Sequence, residues 1–299
     1  MRSSETNERL WQGDMPEIRG PWLGQPGPAN MPKEFCPEIF STARRPNIIA
    51  GVAFVPEGDE VFFTMNTPTG ESSNLMQTRL HKGVWTRPRA VPFDSEQIDN
   101  DICISPDGKR LCWRSWRPLP GNAAPEKRPS LWAVDRCADG WGEPFPVKCG
   151  GEIQMAWYPS IAANGSLYFS ARATPDEYRI YLARRKGNAY EAREPVICGM
   201  QSGGDLCIAP DESFLVVTCF EGPHFKGRGN QHVSFRTTAG DWTPLRNIGP
   251  VVNTELTEYC PTISADGTRL FFCRLDWDAR RASTYWIDAS VIEALRPTA

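Results

Sequence analysis

The chain has 299 residues, 40% of them hydrophobic, with 33 Lys and Arg against 36 Asp and Glu for a formal net charge of −3. Charges of both signs are interspersed, which argues against a nucleic-acid footprint. No apolar run approaches the ~18–20 residues of a membrane span, and the opening MRSSETNERLWQGDM lacks the apolar core of a signal peptide. The expectation is therefore a cytoplasmic protein with no membrane partner, or a periplasmic one if a leader has been removed.

Residues 1–33 are rich in Pro, Gly and polar groups, so they are expected to lie extended along the surface, with Trp11 and Trp22 marking where part of the segment docks. From residue 34 to 299 one domain is expected, because a single motif recurs through it. The segments are GVAFVPEGDEVFF (from Gly51), DICISPDGKRLCW (from Asp101), YPSIAANGSLYFS (from Tyr158), DLCIAPDESFLVV (from Asp205) and CPTISADGTRLFF (from Cys260). Aligned at Val55, Ser105, Ala162, Ala209 and Ser264, they repeat at steps of 50, 57, 47 and 55 residues. Each reads as an apolar strand, a turn and a returning apolar strand. Pro presets φ in the turn, Asp bonds back to the local backbone and Gly accepts positive φ.

A third strand follows in each copy (LMQTRLHKG, SLWAVDRCADG, RIYLARRKGN, HVSFRTTAG, TYWIDAS), and a fourth in the first four (GVWTRPRAVPF, GWGEPFPVKC, AYEAREPVIC, DWTPLRNIGPV). Four short strands per unit of roughly 40–50 residues is the pattern of a propeller blade. The blades are expected at about 47–96, 97–150, 151–200, 201–254 and 255–299, so an all-β, five-bladed β-propeller is predicted rather than a six-bladed one. The last copy runs into ASVIEALRP, read as a short helix capped by Asp288. Its missing fourth strand is expected from EFCPEIFST, residues 34–42, which would close the ring.

Of the ten cysteines five recur at equivalent strand positions (Cys103 with Cys207; Cys112, Cys219 and Cys273), so the cysteines read as reduced, small buried hydrophobes. Trp85, Trp141 and Trp242 recur at fourth-strand starts and read as packing residues, as do Trp132 and Trp286; Trp113, Trp116, Trp157 and Trp277 are left as candidates for an exposed stacking surface. Two long connections, Arg117–Pro129 and Glu221–Gln231, read as surface insertions or functional loops. The latter carries His224, Lys226, Arg228, Gln231 and, just after it, His232, too few donors for a metal site of its own; His81 reads as a solvent-exposed turn residue.

The hairpins SPDGKRL and SADGTRLFF resemble the WD-like repeat of TolB-type β-propellers, and WLGQPGPANMPKEFCPEIFST is similar to the lead-in of single-domain bacterial members. The resemblance covers the chain from about residue 21 and implies the propeller fold. Its members include protein-interaction modules, peptidase-associated propellers and sugar-acid lyases, so it implies no single activity. Three copies (VPEGDE, AANGSL, APDESF) depart from the best-formed turn.

First strands line a propeller's tunnel. Aligned on the turn, the residues entering them form three rows: Ile49, Asp99, Ala156, Gly203 and Glu258; Ala50, Asn100, Trp157, Gly204 and Tyr259; Gly51, Asp101, Tyr158, Asp205 and Cys260. The candidate ligand site is therefore Asp99, Asn100, Asp101, Trp157, Tyr158, Asp205, Glu258 and Tyr259 at one axial mouth. Aromatics beside carboxylates suit a saccharide or another small polar ligand, or a protein segment, held without a cofactor. Two of the acids also suit acid–base work on a glycosidic bond or sugar acid. Oxygen donors around a tunnel suit Ca²⁺. The structural alternative is that the acids bond to backbone N–H groups of neighbouring blades. No nucleophile elbow, phosphate loop or HExxH pattern is present.

Overall fold

Ser105 shows how the repeat becomes a hairpin. Its hydroxyl donates to Asp107 Oδ1 (2.6 Å) and accepts the Arg110 N–H (2.9 Å), while Gly108 turns the chain at φ 70°. Ser264 and Asp266 repeat the arrangement, and the four side-chain and backbone donors around Asp266 hold its carboxyl down at about 2. In the fourth copy Glu212 stands where the others have Gly, at φ 61°. That strain is offset because its carboxylate accepts bonds from Tyr168 Oη (2.8 Å), Asn164 Nδ2 (3.0 Å) and Arg236 Nη1 (3.0 Å).

The computed structural model describes residues 15–28, 30–43, 48–67, 71–122, 128–150, 155–174, 177–187, 189–196, 198, 204–220 and 229–297. Trp11, Gly203, His224, Lys226, Arg228, residues 123–127 of the first long connection and residues 221–228 of the second lie outside these residues. Five antiparallel sheets follow one another along the chain. Their inner strands are Ile48–Phe54, Asp99–Ile104, Ala156–Ile161, Leu206–Ile208 and Thr257–Ile263. Each inner strand touches the next, and the last touches the first, so the sheets form the closed ring of a five-bladed β-propeller. Five apolar clusters fill the wedges between neighbouring blades, with Trp113 against Phe93 in one and Tyr168 against Trp242 in another. Among the described residues no helix is long and apolar enough to cross a membrane.

The N-terminal segment closes the last blade, but not as one strand. Lys33–Glu34 pairs with Tyr285 and Trp286, Phe35 N–H bonds to Thr284 O (2.8 Å), and contact resumes at Ser41 opposite Ser283. Between them Pro37–Phe40 forms one helical turn. Pro37 has no N–H for the ladder and is preorganised for the first helical position, so the predicted strand is interrupted there. Phe35 and Trp22 then pack into the seam between first and last blades, against Phe54 and Phe271.

At the other terminus, Ser290–Glu293 forms the expected short helix, with Ala289 rather than Asp288 at the cap position. Asp288 instead takes the Ser290 N–H one residue earlier (2.8 Å). All ten cysteines are free. Cys137 is exposed, and Cys103, Cys219 and Cys260 are only partly covered, so the buried-hydrophobe reading holds for the other six.

Candidate functional site: an axial mouth built on a repeated bulge

The row Gly51, Asp101, Tyr158, Cys260 carries a backbone feature that the sequence does not announce. In the first, second, third and fifth blades the inner strand gains one residue over its partner at that position. Each bulged residue has positive φ: Gly51 61°, Asp101 58°, Tyr158 50° and Cys260 49°. Only glycine adopts this conformation freely; each of the others costs ~1–2 kcal/mol. The bulge breaks the ladder and re-aims the side chain towards the axis.

It also frees backbone N–H groups, and two acids collect them. Asp101 Oδ2 faces Tyr158 N–H of the next blade at 3.4 Å, and Asp205 Oδ2 accepts Cys260 N–H of the next blade at 2.6 Å. The structural alternative is thus realised for both residues. Burial pushes both carboxyls up, Asp205 to about 6; the Cys260 N–H opposes the shift at Asp205, and the nearby Arg114 opposes it at Asp101. Among the described residues Asp205 Oδ1 has no hydrogen-bond partner.

Asp99 and Glu258 stand apart from these two. Asp99 accepts from Ser95 N–H (3.0 Å), Ser95 Oγ (2.7 Å) and Arg117 Nη2 (2.7 Å). Glu258 repeats the pattern with Thr254 N–H (3.0 Å), Thr254 Oγ1 (2.7 Å) and Arg274 Nε (2.7 Å). Both are fully buried inside their own blades, so the structure does not bring them to the mouth. With Asp99 Oδ2 and both Glu258 oxygens engaged and both carboxylates buried in their blades, the calcium reading loses half its carboxylates, and among the described residues no three His, Cys, Asp or Glu group as a metal site.

Asn100 accepts the Arg114 Nε–H at 2.6 Å and acts by holding that arginine. The Tyr259 hydroxyl is buried with no hydrogen-bond partner among the described residues, and burial raises it far above its ordinary range. Gln231 is fully buried and bonds Thr218 Oγ1 (3.1 Å), so it is structural; His232 Nδ1 contacts Asn230 O (3.0 Å). Of the tryptophans proposed for an exposed surface, Trp113 is fully buried, Trp277 is 61% exposed, and only Trp157 lines a cavity at the mouth.

Two spaces result. A narrow axial channel of about 70 Å³ runs between the inner strands of all blades and is lined by Asp101, Tyr158, Asp205 and Cys260. Beside it lies a wider cavity of about 230 Å³, lined by Arg114, Trp157, Tyr158, Ser170, Tyr178, Gly204, Asp205 and Phe220. Trp157 and Tyr178 meet with ring centroids 5.6 Å apart and form one wall. Gly204 is required there, because a Cβ would stand 2.7 Å from the Tyr158 ring.

Arg114, Ser170, Tyr178 and Phe220 were not foreseen. Arg114 and Ser170 sit on second strands, directly opposite Asn100 and Trp157. The available signal was an arginine interrupting the apolar run RLCWRSW. Tyr178 and Phe220 lie on a third and a second strand respectively, where the sequence carries no comparable mark.

No family model matches the sequence, and no curated protein matches it. Solved structures do. An α-L-arabinofuranosidase from Lactobacillus brevis aligns with TM-score 0.51 at 12% identity, over 80% of this chain and 90% of that one. A protein of unknown function from Dyadobacter fermentans aligns with TM-score 0.50 at 12% identity, over 89% of this chain and 86% of that one. A prolyl endopeptidase aligns with TM-score 0.45 at 19% identity over 76% of this chain, which spans only 32% of that protein's length. At such identities the likeness concerns the fold alone: this chain is a β-propeller.

Proposed function

We propose that the chain is a TolB-like propeller acting as a binding module, which holds a small polar ligand with a ring-shaped body at the axial mouth. One observation carries this reading. Three blades bring an arginine, a buried acid and three aromatic walls around one cavity of about 230 Å³. Aromatic faces take the apolar side of a ring, and the few polar groups orient it. Saccharides are the first class to test. Titration calorimetry of the full chain against mono- and oligosaccharides should find one binder, and Trp157→Ala should weaken it at least about tenfold. Unchanged affinity in that variant, or a bound sugar located away from the mouth, would overturn the reading.

A second reading, catalysis on the same ligand, is favoured by Asp205, whose carboxyl is pushed up to about 6 in the cavity lining. It requires turnover of the bound ligand that disappears in Asp205→Asn while binding persists.

A further inference from the structure

Arg114 is the cation among the described residues lining the mouth cavity. Its Nε–H edge is engaged, with Asn100 Oδ1 at 2.6 Å and Asp101 Oδ2 at 3.1 Å. Its guanidinium plane lies against Trp116, 4.8 Å from the ring centroid, and faces Tyr158 at 5.9 Å. The side chain is thus held on one edge and stacked over an aromatic ring, and is only 13% exposed. Among the described residues neither terminal nitrogen has a hydrogen-bond partner.

A guanidinium offers two forked edges, each matched to a planar anion. Here one is used inside the protein and the other is left at a cavity whose other described lining residues are four aromatic rings with Ser170, Gly204 and Asp205. Arg172 adds a second cation near the aromatic wall, with Nη2 3.0 Å from Tyr178 Oη. The acids nearby are Asp101, paired with Arg114, and Asp205, which turns one oxygen to a backbone N–H. A dianion such as phosphate would meet both of these acids and would find a single guanidinium among the described lining side chains. A monoanionic carboxylate matches the one planar edge.

We propose that the ligand held at the mouth carries a carboxylate on a ring-shaped body, the carboxylate lying on the free edge of Arg114 and the ring against Trp157, Tyr178 and Phe220. The proposal rests on the mouth-cavity reading above and adds the charge of the ligand to it.

The test is titration calorimetry of the full chain with two matched pairs, benzoate against benzamide and cyclohexanecarboxylate against its amide, with inorganic phosphate and glucose as further arms. In at least one pair the acid should bind at least about tenfold more tightly than the amide, as expected for a charge-assisted forked contact. In Arg114→Gln that preference should vanish. If Arg114→Gln does not fold, because Asp101 then lacks its cation, Arg114→Lys keeps a charge beside Asp101 and removes the planar edge, and the same loss of preference is expected. Equal binding of acid and amide, tighter binding of phosphate, or a preference that survives Arg114→Lys or Arg114→Gln would overturn the proposal. Glucose bound at the mouth, with no gain from any carboxylate, would overturn it while leaving the binding-module reading standing. No binding at the mouth by any saccharide or ring acid would take down both.

Discussion

Asp205 and Glu258 are both buried carboxylates near the start of inner strands, yet their surroundings divide them. Glu258 has an arginine and two local donors for its two oxygens. Asp205 has one backbone N–H, no arginine contact among the described residues, and burial that lifts its carboxyl to about 6. A carboxyl raised above its unfolded value of ~3.9 binds its proton more strongly when folded, so stability from this group is fully present below pH ~3.9 and is lost as pH rises through about 6. The shift corresponds to ~3 kcal/mol at neutral pH. Asp205→Asn retains an oxygen for the Cys260 N–H and removes the charge. Urea unfolding should therefore show the variant more stable than the parent at pH 7.5, with the difference fading below pH 4. A difference independent of pH would show that Asp205 does not titrate in this range.

Single elements in this fold are defined by what they lean on. The turn Pro37–Phe40 and the pair Lys33–Glu34 are too short to persist alone, and they stay because Phe35 is fully buried between blades. Its ring meets Phe40 at 5.6 Å, Phe54 at 5.6 Å, Phe271 at 5.2 Å and Trp286 at 4.9 Å. Phe35→Ala should cost ~3–5 kcal/mol in equilibrium unfolding. A loss below ~1 kcal/mol would mean the seam collapses around the gap. The bulged inner strands follow the same logic: Asp101, Tyr158 and Cys260 keep a disfavoured φ because the ladders on either side are anchored.

On the scale of the whole molecule, closure is what places the mouth. Arg114, the Trp157–Tyr178 wall and Asp205 belong to successive blades, so the cavity depends on how neighbouring blades pack in the ring. Cutting the chain so that it begins at residue 43 removes the partners of Tyr285 and Trp286 and leaves a strand edge open. Such a truncated chain should unfold at lower urea concentration and self-associate, read by light scattering, and should lose any ligand of the mouth. A monomer of unaltered stability would show that the ring does not need its N-terminal latch.

The sequence alone was enough for the architecture. Pro, Asp and Gly in the turns, short apolar strands and recurring tryptophans act locally, so each copy is legible without its neighbours. Alignment on the turn also brought out the row Gly51, Asp101, Tyr158, Asp205, Cys260, all of which line the axial channel. Which acids were free to act was decided by tertiary structure alone, because Asp99 and Glu258 meet their arginines across second strands and Asp101 and Asp205 meet N–H groups of another blade. The bulge that turns Tyr158 inward and the placement of Arg114, Tyr178 and Phe220 beside it were likewise invisible in the chain. Strand register and the approach of separate blades are cooperative properties of the closed ring, and no single segment encodes them.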